Sequence, residues 1–171
     1  SAYRRDQEAV TMIESIGVQE LAPQEAAAMS RRCAPEEIGA FVGEAYGAVM
    51  AALTAQGLAP VGPPFCRYAM GGDEGMDASG QAAVFGVTAG FPCSGPAAES
   101  GGVVPLTLPG GSAVVATHVG AWTELGEAYA AVAAWMSDHG LEAAGDPWET
   151  YLDGPEVPEH RTLLHAPCRP A

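Results

Sequence analysis

Two long stripes of apolar residues stand out along the chain, each flanked by shorter runs of strand length. The second stripe is the clearer. Leu125, Ala128, Tyr129, Val132 and Met136 fall at i, i+3, i+4, i+7 and i+11, one face of an amphipathic helix. Gly140 stands where that helix should stop, because a glycine takes the left-handed conformation without steric cost. The first stripe, Ile38, Phe41, Val42, Ala45, Val49, Ala52 and Leu53, predicts a helix that opens at Pro35 and ends at Gly57. Glu36 and Glu37 in its first turn suit the helix dipole. Around the helices, strands are predicted at Met12–Leu21, Glu25–Cys33, Phe65–Met70, Ala82–Phe91, Val103–Leu108, Ser112–Val119, Trp148–Leu152 and Arg161–Ala166. Pro23 separates the first two, Pro63-Pro64 precedes the third, and Pro109-Gly110-Gly111 reads as the turn of a hairpin. The first ten residues are polar and read as loose. Gly71 to Gly80 reads as a flexible loop without calcium-loop spacing or a phosphate-loop lysine. The order is two strands, helix, two strands, then the same again, which predicts an α+β fold with each helix laid on an antiparallel sheet.

The second round repeats the first in detail. Sliding the chain by 83 positions lays Phe41 on Glu124 and matches Gly43, Glu44, Ala45, Tyr46, Gly57, Leu58, Gly62, Pro64 and Tyr68 with Gly126, Glu127, Ala128, Tyr129, Gly140, Leu141, Gly145, Pro147 and Tyr151. Two copies are too few for a solenoid, so they read as the pseudo-twofold β-β-α-β-β halves of one domain. The expected bounds are about 11–93 and 103–168, with Ser94 to Gly102 as the linker, in a single domain over 1–171. One difference matters most: Cys66 occupies the slot of Glu149, so a single half carries the acid.

That acid is the centre of the candidate chemistry. At period two, Glu149 and Tyr151 share one strand face, while Trp148, Thr150 and Leu152 point to the other. A buried carboxylate without a partner is costly, which raises its pKa or recruits a cation, and aromatic faces add attraction for that cation. Tyr68 is the counterpart of Tyr151 in the first half, and its bland alternative is core packing. Phe65, Trp148, Tyr46, Tyr129 and Trp135 read as core under the helices. Glu44 and Glu127 read as solvated helix flanks, and Arg31-Arg32 as a solvated strand end. Cys66 faces the same way as Glu149 if the repeat is exact, but no base stands beside it, so it reads as a filler thiol. His118, on the strand before Trp122, is placed to reach the site. His160 and His165 fall on opposite strand faces, and the four histidines form no metal set. No serine sits in a nucleophile elbow.

The segments Val119-Gly120-Ala121-Trp122, Gly126-Glu127-Ala128-Tyr129 and Trp148-Glu149-Thr150-Tyr151-Leu152 resemble the GyrI-like domain, the effector-binding module of many AraC- and MerR-type regulators, which also occurs alone. Pro35-Glu36-Glu37-Ile38-Gly39 and Phe41-Val42-Gly43-Glu44 resemble its first helix. The resemblance implies a central groove between the halves, where an acid and aromatics receive lipophilic, often cationic compounds. By position Glu149 matches the acid and Trp122 an aromatic after the family's Gly-Pro; Ala121 replaces that proline, so the entry to the second helix is expected to differ.

Composition narrows the partners. Of 171 residues, 21 are acidic and 7 are arginines or lysines (all arginine), for a net charge of −14. Such a surface repels phosphate backbones, which argues against direct nucleic-acid binding. The residues before Met12 are too few for a helix-turn-helix. No apolar run approaches the ~18 residues of a membrane span, and the N-terminus does not read as a signal peptide, so no membrane and a cytoplasmic location are expected. Cys33, Cys66, Cys93 and Cys168 lack zinc spacing and read as buried thiols. Neither a metal nor a cofactor is expected. Three functions stay open. The first is a stand-alone binder of lipophilic, cationic small molecules, lined by Glu149, Tyr151, Trp122, Tyr68, Cys66 and His118. The second, implied by the resemblance, is a hydrolase of strained or electrophilic molecules, with Glu149 as general acid or base and Tyr151 polarising the departing oxygen. The third is a protein-interaction module such as a gyrase inhibitor.

Overall fold

The computed structural model describes residues 13–69, 85–154 and 156–171. The expected loose first ten residues and the 71–80 loop lie outside them, as do the expected strand beginnings at Met12 and Ala82. The strands are β1 (Ile13–Leu21), β2 (Gln24–Cys33), β3 (Phe65–Tyr68), β4 (Phe85–Pro92), β5 (Val104–Leu108), β6 (Gly111–Gly120), β7 (Leu141–Ala143), β8 (Trp148–Tyr151) and β9 (His160–Pro170). The helices are α1 (Ile38–Ala55) and α2 (Leu125–Asp138), each entered through a 3-10 turn, Pro35–Glu37 and Trp122–Glu124. The α+β order expected from the sequence is present, with β7 added.

Both helices are set up by their sequences in the same way. Ala34 and Ala121 stand before the 3-10 turns in nearly identical extended conformations. Ala121 therefore does the backbone work expected of a proline at that place. Helix α1 is 18 residues long and α2 is 14, one turn fewer, so the repeat keeps its offset only from Gly43 and Gly126 onward. At the far ends Gly57 and Gly140 adopt φ of 70° and 69°, which ends each helix where a side chain would be strained. The buried faces are Phe41, Ala45, Val49 and Leu53 on α1, and Leu125, Ala128, Val132 and Met136 on α2.

The pairing of strands departs from the expected halves. The chain divides into two compact units, one formed by Ala22–Gly110 and the other by β1 together with Gly111–Ala171. In the first, β2 pairs with β4 and β5, and β3 pairs with β4, all antiparallel. In the second, β6 pairs with β1 and β9, while β7 and β8 pair with β9. Each contiguous half thus gives up its first strand. β1 lies on β6, not on β2, and β5 lies on β2, so the hairpin expected about Pro109-Gly110-Gly111 does not form. Proline explains both corrections. The residue before a proline is held in extended conformations, and two-residue hairpin turns need positive φ where Ala22 and Pro23, or Pro109, stand. Among the described residues neither Ala22, Pro23 nor Pro109 has positive φ.

In the Gly111–Ala171 unit, α2 covers Val114 and Ala116 of β6 and Leu164 and Cys168 of β9. Ile13 and Ile16 of β1 pack against the same cluster, so the exchanged strand belongs to this core. In the Ala22–Gly110 unit, Val49 and Leu53 of α1 pack with Ala27, Cys93, Ala97 and Val103. The segment expected to be a linker is tied down here. The Gln56 side chain donates to Ala98 O at 3.1 Å and accepts from Ala98 N at 2.7 Å, and Ala97 is buried. All four cysteines are buried and none forms a disulfide.

Two expectations about charge and hydropathy change. Arg31 donates to both carboxylate oxygens of Glu44, at 3.0 and 3.2 Å, and lies 4.7 Å over the Phe41 ring, so neither is simply solvated. The pair is exposed and contributes little to stability. The stretch Pro35–Ala55, with a mean hydropathy of 1.4, is by length and composition long and apolar enough to cross a membrane, contrary to the expectation of no such run. Its alanines and glycines raise that value, while its large apolar side chains Phe41, Val49 and Leu53 are buried within its own unit.

Gly90 marks the tightest approach. A Cβ there would stand 1.9 Å from Ala27 O and 2.7 Å from Ala28 Cα, both backbone atoms of the paired strand. Gly90→Ala is expected to destabilise the protein by about 1–3 kcal/mol or more through overpacking, read as a lowered thermal midpoint. An unchanged midpoint would show that β2 and β4 can separate without cost.

Candidate functional site

Register places the acid beneath a helix. Glu149 on β8 stands opposite Leu164 on β9, which stands opposite Ala116 on β6. Leu164 and Ala116 belong to the core under α2, so Glu149 shares that face. Trp148 therefore points the other way and stacks on His165, with ring centroids 4.9 Å apart. It is buried but not under the helix, correcting the expectation. Burial on that opposite face holds the His165 imidazole down at about 4.

Glu149 is only 3% exposed. Tyr151 donates its hydroxyl to Oε2 at 2.6 Å, and Tyr129 of α2 donates to Oε1 at 3.1 Å. Burial pushes the carboxyl above its ordinary pKa, and the two hydroxyl hydrogen bonds oppose that without overcoming it. Among the described residues, no arginine or histidine pairs with it. Tyr129 was expected only as core. Its signal was the repeat, because Tyr46 holds the same place on α1. With Cys66 in place of the acid, Tyr46 donates instead to Phe65 O at 3.0 Å.

An aromatic wall adjoins the carboxyl. Trp122, 38% exposed on its 3-10 turn, meets Tyr151 edge-on at 5.8 Å and stacks on His160 at 4.1 Å. His160 donates through Nδ1 to Gly154 O at 3.0 Å, which fixes its ring beneath the indole. Sequence reasoning missed His160 in this role, since its contact with Trp122 joins the start of β9 to the start of α2. His118 lies on the same face of β6 as Glu149 does on β8, fully buried, with Nε2 3.9 Å from the Glu124 carboxylate. Burial lowers its pKa, against the pull of Glu124, so the imidazole is neutral near pH 7.

Glu149, Tyr151, Trp122 and His118 are thus brought into one unit, joined by Tyr129, His160 and Glu124. Cys66, buried opposite Ala89, and Tyr68, half-buried opposite Val87, belong to the Ala22–Gly110 unit. Among the described residues, no group of three or more His, Cys, Asp or Glu side chains could hold a metal ion.

A buried carboxyl capped by two tyrosines thus lies on the helix-covered face of an antiparallel sheet, beside an exposed tryptophan, in an α+β protein. The GyrI-like small molecule binding domain matches residues 15–167, and the chain belongs to that family. None of the curated proteins matches the chain. Among solved structures, the C-terminal domain of EcmrR is similar, with a TM-score of 0.71 at 18% identity over 92% of this chain and 98% of that one. EcmrR in its complex with DNA gives a TM-score of 0.76 at 16% identity, covering 99% of this chain, which spans 62% of that longer one. A hydrolase from Listeria innocua gives 0.61 at 14% identity over 97% of each chain. SAV2435 bound to tetraphenylphosphonium gives 0.58 at 12% identity over 91% of this chain and 94% of that one.

Proposed function

We propose that this domain binds a lipophilic, cationic small molecule, with Glu149 as its counter-ion and Trp122 and Tyr151 as aromatic wall. The observation that carries this reading is a carboxyl almost wholly withdrawn from water whose hydrogen-bond partners are neutral phenols. Burial of that kind leaves the site electrically incomplete whenever the carboxyl ionises, and a cation whose charge is spread over an apolar body completes it at little desolvation cost. Aromatic faces add about 0.5–2 kcal/mol through cation–π attraction. The presence of tetraphenylphosphonium in SAV2435, a protein of the same fold, supports the choice of ligand class.

Calorimetric titration with tetraphenylphosphonium tests this. A micromolar dissociation constant is expected, about −8 kcal/mol, and Trp122→Ala is expected to weaken it about threefold to tenfold. No binding of this cation or of similar lipophilic cations would overturn the reading.

Hydrolysis is the second reading, and one observation favours it. A carboxyl whose pKa is raised by burial, 2.6 Å from the Tyr151 hydroxyl, can in its protonated form deliver a proton to a departing oxygen and then take one from water. Recovery of an electrophilic ligand with the mass of one added water, lost in Glu149→Gln, would support it. The interaction-module reading has no such observation: among the described residues, the exposed large apolar side chains are Val18, Met50, Val61 and Trp122, on four separate stretches of chain.

A further inference from the structure

Beside Glu149 the same face carries three buried polar atoms without a hydrogen-bond partner: both imidazole nitrogens of His118 and the hydroxyl of Thr162. His118 and Thr162 are both fully buried and stand directly opposite each other on β6 and β9. Thr162 in turn stands opposite Tyr151 on β8. A single cross-strand row therefore runs His118, Thr162, Tyr151, one pleat along from Glu149. Buried polar groups are nearly always paired, and leaving several orphaned within one contact is rare enough to require an occupant.

We propose that the ligand of this site carries, besides its charge, a neutral hydrogen-bonding group, a hydroxyl or a carbonyl, that seats between His118 and Thr162. This rests on the Glu149 reading and narrows it: a simple aromatic or alkyl cation fills only part of the site. A neutral imidazole offers one donor and one acceptor, and a threonine hydroxyl offers both, so a hydroxyl that donates and accepts can satisfy the pair at once. Register sets the spacing. Thr162 is the diagonal neighbour of Glu149, about 7–8 Å away, and His118 lies one strand further, about 5 Å. Gly120 leaves room for the Glu124 carboxylate to lie beside the imidazole. A Cβ there would stand 2.7 Å from Glu124 Oε2 and 3.4 Å from the His118 ring. The half-exposed Glu124 carboxylate lies 3.9 Å from Nε2, so the ligand's group enters past that side chain.

A matched pair of probes tests this: (hydroxyhexyl)triphenylphosphonium and its isostere heptyltriphenylphosphonium. On hydrophobicity alone the heptyl probe binds tighter. The expected result is the reverse, with the hydroxyl probe at least threefold tighter on the wild type. Thr162→Val, which keeps shape and removes the hydroxyl, and His118→Phe should each restore the heptyl preference. Thr162→Val should also leave the thermal midpoint equal or higher, since it removes an orphaned group. A wild-type preference for the heptyl probe, with both affinities falling in Glu149→Gln, would overturn this inference and leave the Glu149 reading standing. A hydroxyl preference that survives in both variants would overturn it too, as would a lowered midpoint in Thr162→Val with the preference unchanged, which is the mark of a permanently bound water. If neither probe binds, or both ignore Glu149→Gln, the Glu149 reading falls and takes this one with it.

Discussion

Glu149→Gln is expected to weaken tetraphenylphosphonium binding tenfold or more while raising the stability of the empty protein at neutral pH. The two effects have one cause. The folded carboxyl has its pKa raised by burial, so relative to the unfolded chain the native state holds its proton to higher pH. Stability from this group is fully present below the unfolded value and declines as pH rises toward the folded one, because there the unfolded state ionises freely and the native state does not. Above the folded pKa the native protein carries a buried charge held only by Tyr129 and Tyr151. Glutamine removes that penalty, and both tyrosine hydroxyls can rotate to bond the amide. A gain of about 1 kcal/mol corresponds to a midpoint about 2–4 °C higher for a chain of this size. The gain should vanish below the ordinary glutamate range, where both side chains are neutral. Binding of a permanent cation runs the other way: wild-type affinity rises with pH as Glu149 ionises, and the glutamine variant shows no such rise. Thermal melts and titrations across pH 4 to 8 check both signs. A destabilised variant at neutral pH would mean that the carboxylate is structurally paired, and pH-independent binding would remove it from the site.

The second large effect concerns the exchanged strands. A fragment from Val103 to Ala171, the second half as the repeat divides it, is expected not to fold alone. It carries β5, whose partner β2 is absent, and lacks β1, which pairs with β6 from Ile13 to Leu21 and adds Ile13 and Ile16 to the core under α2. The bare edge of β6 would present an apolar strand, Ala113 to Ala116, to any other chain. The expected result is no cooperative transition by circular dichroism, and aggregation. Joining Ile13–Leu21 through a flexible linker to Gly111–Ala171 should restore a cooperative transition. Cooperative unfolding of the 103–171 fragment, with the near-ultraviolet signal of its packed tryptophans, would show that the exchange is dispensable.

These two expectations mark where sequence and tertiary structure each decide. The stripe from Leu125 to Met136, the stop at Gly140 and the alternation around Trp148 are local patterns, and they specified α2, β8 and the face shared by Glu149 and Tyr151. The repeat specified that a single half carries the acid. Hydrophobic periodicity is a property of neighbours in sequence, so it reaches that far. It does not say which face of a strand meets the helix. That was fixed by registering Glu149 with Leu164, which put the carboxyl beneath α2 and turned Trp148 outward onto His165. Nor does periodicity choose strand partners. Pro23 read as a break between neighbouring strands and Pro109-Gly110-Gly111 as a hairpin turn, yet extended backbone around proline sent each first strand to a distant partner. Tyr129 and His160 join the candidate site for the same reason: their contacts with Glu149 and Trp122 join elements brought side by side by that long-range pairing. The sequence by itself determined the elements and the single acid; the pairing of distant strands decided what surrounds it, because register and face are settled by which chains of backbone find each other.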